Sequence, residues 1–190
     1  MKTVYLVRHG ETLFNVMEKN QGQCDSPLTE KGIRQAQAAA AWFRARNISF
    51  GEVYCSTSER ACDTAEIISG GMPYTRCKGL REIALGTKEA SPTSENPIYP
   101  YGDFFIPYGG EGLDAVTARI CRTMEEIARN SQKDPVLVVS HGVAILRFLE
   151  TLLSPEQCGR RVLGNCGIVC LSWQDDTFTV DRIVDPNGGS

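Results

Sequence analysis

The apolar positions of this chain change period several times, and each change marks an element. Thr3 to Val7 is a short β-branched and apolar run ending at Arg8-His9-Gly10. It reads as a buried strand that delivers a loop. Thr29 stands where a helix N-cap belongs. Ile33, Ala36, Ala40 and Phe43 then fall on one face at helical spacing, which predicts a helix to about Arg46. Glu52 to Ser56 reads as a second strand, and Thr57 or Ser58 caps a helix through Ile68 that stops at Gly70-Gly71. Tyr74 to Leu80 reads as a third strand. Leu113 to about Arg129 returns to helical spacing through Val116, Ile120, Met124 and Ile127. Val136 to Val139 is wholly apolar, as in a central strand covered on both faces, and it ends at Ser140-His141-Gly142. A helix follows from Val143 to Leu153. Ile168 to Trp173 and Thr177 to Ile183 predict an antiparallel hairpin around Asp175-Asp176, and Pro186 to Ser190 a loose tail.

Strands alternate with helices over most of the chain. That order predicts an α/β three-layer sandwich, a mostly parallel sheet with helices on both faces. In such sheets ligands sit beyond the carboxyl ends of the strands. The sequence reads as one domain over residues 1–190. Residues 91–110 stand apart. They hold four of the nine prolines, five aromatic residues (Tyr99, Tyr101, Phe104, Phe105, Tyr108) and little periodicity. Long excursions of this kind are usually functional or disordered, and the aromatic content argues for a lid-like insertion. Its bland counterpart is a satellite hydrophobic cluster.

Composition narrows the field. At 190 residues, with 42% hydrophobic and 23% charged, the chain has the profile of a folded globular domain. The net charge of −3 gives no global basic field for nucleic acid or an anionic membrane. No apolar run approaches the roughly 20 residues of a membrane helix, and Met1 to Val7 lacks a signal-peptide layout. A cytoplasmic location is therefore expected, and oligomeric state is left open. None of the eight cysteines forms a C-x-x-C pair, so they read as reduced, mostly buried small residues rather than a zinc site.

An anionic substrate would then need a local cationic pocket, and the strand ends supply one. The chain has two histidines, His9 and His141; each follows an apolar run and each precedes a glycine, Gly10 and Gly142. Neutral imidazole is a competent nucleophile near neutral pH. Glycine beside it would let a tetrahedral anion approach the backbone. Arg8 adjoins His9, and Arg60 lies just past the second strand. Arginine's planar fork matches phosphate oxygens. Glu82 follows the third strand and is the best placed general acid for a leaving oxygen. Asn15, six residues after His9, is a further donor. No nucleotide-cradle motif is present, and no carboxylate cluster calls for a metal.

Together these residues resemble the histidine phosphatase superfamily, in its phosphoglycerate-mutase-like branch. Arg8-His9-Gly10-Glu11-Thr12 with Asn15 resembles the signature loop, and Gln21-Gly22 through Gln35-Ala36 the segment after it. Ser56 to Ala65, with Arg60, is similar to the second arginine motif. Leu80 to Gly86 is similar to the acid-bearing motif, Gly110-Glu111 to the step into the next helix, and Ser140-His141-Gly142 to the second histidine motif. The likeness spans about residues 2–180 in the family's order.

The resemblance implies roles. His9 would attack phosphorus, and Glu82 would protonate the leaving group and then activate water. Arg8, Arg60 and His141 would hold the equatorial oxygens, with Asn15, Gln21 and Gly22 lining the pocket. It implies a small phosphorylated substrate and no metal or organic cofactor. The chain departs from the family at Thr87-Lys88-Glu89-Ala90, where a Trp-Glu-Gly is common, and its insertion after Glu82 is shorter than in glycolytic mutases. That favours a phosphatase over a cofactor-dependent phosphoglycerate mutase. Gly142 after His141 separates it from the acid-phosphatase branch, which has aspartate there. A catalytically idle binding or regulatory protein of the same fold would be expected to lack one of these residues.

Overall fold

Alternation of two apolar faces builds the centre of the molecule. In the computed structural model, which describes residues 1–158 and 163–188, β1 (Lys2–Arg8) and β4 (Val136–Ser140) pair in parallel, Val4 opposite Val136 and Arg8 opposite Ser140. Successive side chains of a strand point to opposite faces. Val4, Leu6, Val136 and Val138 therefore enter one core, while Tyr5, Val7, Leu137 and Val139 enter the other. A strand with no polar alternation suits this centre, because both its faces are covered.

Six strands form one sheet in the order β3-β2-β4-β1-β5-β6. β2 (Glu52–Ser56) pairs in parallel with β4 and with β3 (Thr75–Cys77). β5 (Ile168–Gln174) runs antiparallel to β1 and joins β6 (Thr177–Val184) in a hairpin whose turn residues, Asp175 and Asp176, both have positive φ. Such turns match the right-handed twist of the strands they join. α2 (Glu30–Arg44) and α3 (Glu59–Ser69) cover one face, through Ala36, Ala39, Phe43, Ala61, Ala65 and Ile68. α4 (Leu113–Asn130) and α5 (Gly142–Leu149) cover the other, through Val116, Ile120, Met124, Ile145 and Phe148. Two short helices complete the set, α1 (Leu13–Val16) and α6 (Pro155–Cys158). The three-layer α/β expectation holds, and no helix among the described residues is long and apolar enough to cross a membrane.

Local differences from the pattern have physical causes. β3 stops at Cys77, not Leu80. The chain tightens into a 3₁₀ turn over Lys78–Leu80 because Gly79 packs directly on Thr123 and Leu80 is drawn fully into the core. Ile33 is 39% exposed; the buried stripe of α2 instead runs through Gly32, Ala36, Ala39, Ala40 and Phe43. α1 escapes the periodicity argument at four residues, and a capping box between Thr12 and Asn15 holds it. Ser58 occupies the N-cap of α3 but makes no capping hydrogen bond. α5 ends at Leu149 and leaves residues 150–153 as turn before Pro155. Gly189 and Ser190, the end of the expected tail, lie outside the described residues, as does the stretch 159–162.

Residues 91–110 carry no strand or α-helix, only 3₁₀ turns at Thr93–Glu95 and Ile106–Tyr108. Their aromatic rings form a chain of edge contacts, Tyr99 to Tyr101, Tyr101 to Phe105 and Phe104 to Phe105, at 5.0–5.4 Å between centroids. Phe105 is fully buried within the core shared with α4 and α5. The segment is thus anchored to the main core rather than forming a satellite of its own.

Candidate active site

The parallel strands β1, β2 and β4 end at one edge of the sheet, and His9, Ser56 and His141 stand at those ends. His9 is 4% exposed and its ring lies 5.2 Å from that of His141, centroid to centroid. The tautomer of His9 follows from its partner. His9 Nδ1 lies 2.7 Å from the Gly10 carbonyl, which can only accept. Nδ1 therefore carries the hydrogen and Nε2 keeps its lone pair. His141 Nε2 lies 2.7 Å from Ser56 Oγ. A hydroxyl that donates there leaves the hydrogen of His141 on Nδ1, and Nδ1 is buried with no hydrogen-bond partner among the described residues.

Both histidines are held well below the usual imidazole value. Burial is the main cause, and the guanidinium groups of Arg60 and Arg8 add to it. Both rings are neutral at pH 7 for that reason. Arg8 is also lowered by burial, against the opposing pull of Glu82. Its Nη1 donates to the Leu163 carbonyl at 2.6 Å, while its Nε has no partner among the described residues. Arg60, 1% exposed, is fixed by the carbonyls of Gly22 and Cys24 at 2.8 Å each and by Asp25 Oδ1 at 3.0 Å, and its Nε is again unpartnered.

Glu82 sits at the opening turn of α5. Its Oε1 accepts from the backbone N–H of Ile83 and Ala144, and its Oε2 from that of Val143, each at 3.0 Å. The loop that carries it is braced by Arg119, a residue the sequence reading passed over. Arg119 pairs with both oxygens of Glu111 and donates to the carbonyls of Gly79 and Arg81 at 3.0 and 2.7 Å. Nothing local in the sequence announces this, because an arginine eight residues after Glu111 on an amphipathic helix reads as a solvated face.

A cavity of about 240 Å³ is lined by Arg8, His9, Asn15, Gln21, Gly22, Arg60 and Glu82, with Tyr101 and Phe105 on its wall. The sequence candidates are therefore brought together, in different capacities. Asn15 accepts at Oδ1 from Thr12 N–H, and its amide N–H₂ makes no hydrogen bond among the described residues. Gln21 spends its side chain on Thr12 and Ser26 and acts as a brace. Gly22 adopts φ +51°, and its carbonyl seats Arg60. Gly10 has a different reason from the one expected. A Cβ there would meet the Gly32 carbonyl at 2.6 Å, so its smallness serves helix packing, not anion approach. His141 is wholly buried beside His9, and Gly142 opens α5, whose next two amides are taken by Glu82. Sequence reasoning also missed Lys19, Asn20, Thr93 and Asn96 on the cavity wall. No group of three or more His, Cys, Asp or Glu suited to a metal occurs among the described residues, and the donors that converge here, guanidinium and imidazole N–H, suit an oxyanion.

Known proteins share this fold. The histidine phosphatase superfamily (branch 1) matches residues 4–186. A probable phosphoglycerate mutase GpmB of Salmonella choleraesuis is 35% identical over 203 residues, covering 100% of this chain and 93% of that protein. Among solved structures, a phosphoserine phosphatase mutant from Entamoeba histolytica in complex with phosphoserine superposes with a TM-score of 0.81 at 25% identity, covering 98% of each chain. A mycobacterial glucosyl-3-phosphoglycerate phosphatase complexed with VO3 gives 0.79 at 27%, covering 95% of this chain and 98% of the other. With a family match over residues 4–186, nearly its whole length, the chain belongs to the histidine phosphatase superfamily, branch 1.

Proposed function

We propose that this protein is a phosphatase of small phosphomonoesters that works through a phosphohistidine on His9. One observation carries the reading. Of the six buried side-chain polar atoms without a partner among the described residues, three, Arg8 Nε, Arg60 Nε and His141 Nδ1, belong to the residues that surround His9. Buried polar groups are almost always satisfied, so three orphans around one nucleophile call for an oxyanion. A phosphoryl group against His9 Nε2 would present its equatorial oxygens to them.

The steps follow from the tautomers. Neutral His9 attacks phosphorus through Nε2, and the ester bond to the leaving oxygen breaks. Glu82 serves as the general acid that gives that oxygen its proton, through Oε2, which accepts only one backbone N–H. Water then attacks the phosphohistidine as the Glu82 carboxylate takes its proton, and inorganic phosphate leaves with His9 restored. Arg8, Arg60 and His141 hold the charge on phosphorus's equatorial oxygens throughout, as preorganised donors do. The chemistry calls for no metal.

The similarity to a probable phosphoglycerate mutase favours a second reading, in which the phosphoryl group returns to another hydroxyl instead of water. A single experiment separates them. The purified chain is given 3-phosphoglycerate with a trace of 2,3-bisphosphoglycerate, and inorganic phosphate and 2-phosphoglycerate are followed together. Phosphate release ahead of isomer formation is the expected result. Isomer formation ahead of phosphate release would make the protein a mutase.

A further inference from the structure

The cavity has a second polar wall that the phosphoryl machinery does not use. It is built where residues 18–20 lie against residues 90–93. Lys19 bridges Pro92 in antiparallel fashion, Asn20 N–H donates to the Ser91 carbonyl at 2.8 Å, and the Ala90 and Thr93 N–H groups return to the carbonyls of Asn20 and Glu18. The Asn20 and Asn96 amides bond each other in both directions, at 2.9 and 2.6 Å. Lys19 N–H is itself tied to the Phe14 carbonyl. The backbone that carries Lys19 is thus pinned on both sides.

Its ammonium is not. Lys19 is half-buried, lines the same cavity as His9 and lies 5.7 Å from the centroid of the Phe14 ring, yet it has no acidic partner among the described residues. The acid of the cavity, Glu82, and those flanking residues 90–93 have other partners. Glu82 is held by three backbone amides, Glu89 accepts from Gln23 N–H, and Glu95 pairs with Lys88 at 2.9 Å. Of the three cations that line the cavity, Arg8 and Arg60 border His9, which leaves Lys19 over the Phe14 ring with no acidic partner among the described residues. Thr93, with no side-chain hydrogen bond of its own, and Asn96, with a second amide hydrogen, stand on the same wall.

We infer that this wall is a subsite for the far end of the substrate and that Lys19 selects esters whose far end carries a carboxylate. The inference rests on the phosphatase reading and adds the substrate class to it. The cavity, about 240 Å³, leaves room beyond a phosphoryl group for a body of only a few carbon atoms. Its lining also includes Leu85, Phe105 and the ring of Tyr101, against which that body would lie. A small phosphorylated hydroxy acid or amino acid has this layout, with phosphate at His9, carbon on the aromatic wall and carboxylate at Lys19.

Two esters of equal length separate charge from shape, namely 3-phosphoglycerate and glycerol 3-phosphate, which has hydroxymethyl in place of the carboxylate. Wild-type protein should show the lower KM for 3-phosphoglycerate. Lys19→Gln should shrink the ratio of the two KM values by about tenfold, the scale of a lost charged hydrogen bond, and Lys19→Arg should keep it. A wild-type protein without preference, or a Lys19→Gln ratio equal to wild type, would overturn the assignment. Preference for propane-1,3-diol bisphosphate over 3-phosphoglycerate would overturn the carboxylate. Turnover of p-nitrophenyl phosphate by wild type reads the phosphatase chemistry separately, so its failure is distinguishable from failure of the subsite.

Discussion

The two histidines should make the fold acid-sensitive in a window where most proteins are near their best. Both are buried, and burial first, then Arg60, holds each well below the ordinary imidazole value. The unfolded chain regains that ordinary value, near 6.5. Below it the unfolded chain binds protons that the folded chain refuses, so stability is complete above about pH 6.5 and falls as pH drops beneath it. Each histidine can contribute a slope of up to about 1.4 kcal/mol per pH unit, and the pair about 2.7. Against a total of about 5–15 kcal/mol that loss is large. Urea denaturation at pH 7.5, 6.5 and 5.5, followed by tryptophan fluorescence, measures it. The expected result is little change between 7.5 and 6.5 and a steep loss to 5.5. His141→Asn should remove about half of that slope, which isolates it from the carboxylates that titrate lower. A phosphate-mimicking anion bound in the cavity should resist the loss, because it would reward protonation of the rings. A flat wild-type profile, or a slope unchanged in His141→Asn, would refute the argument that the rings are buried and neutral.

Other outcomes test the chemistry. His9→Ala should abolish turnover and the acid-labile phosphate trapped by brief reaction with substrate, read by mass spectrometry. Arg60→Ala should cost on the order of 10²-fold in kcat/KM, by analogy with loss of one oxyanion donor, and Arg60→Lys should recover only part of it. Glu82→Gln should slow alkyl phosphates far more than p-nitrophenyl phosphate, whose leaving group needs little protonation; equal losses on both would place the acid elsewhere. Phe105→Ala should lower stability by about 3–5 kcal/mol, as expected for a wholly buried ring, whereas Tyr101→Ala should mainly change relative rates across a panel of esters, as melts and a substrate panel would show.

Much of the fold was legible because its signals are local. Val136 to Val139 has no polar alternation because β4 lies between β2 and β1, covered on both faces. The helices over Glu30–Arg44 and Leu113–Asn130 declare themselves by spacing. What failed was decided at a distance. Ile33 has the right spacing for the buried stripe of α2, but Gly32 sits under Gly10 so closely that it sets the rotation of the helix. β3 ends early because Gly79 and Arg119 meet across 40 residues. Strand order was equally out of reach, since nothing in the segments says that β4 inserts between β1 and β2.

The same division runs through the site. Residues whose type is rare in this chain, or which stand at the ends of apolar runs, could be found; these are His9, His141, Arg8, Arg60 and Glu82. Residues that work by completing others could not. Ser56 is an ordinary strand-end serine until the fold sets its hydroxyl 2.7 Å from His141 Nε2, where it orients that ring. Asn165 is an ordinary turn residue until its amide reaches the His9 carbonyl at 3.0 Å. Such residues decide protonation and angle, which makes them as consequential as the groups they hold. A candidate nucleophile can be picked out from residue type and position, whereas its tautomer exists only in the folded chain.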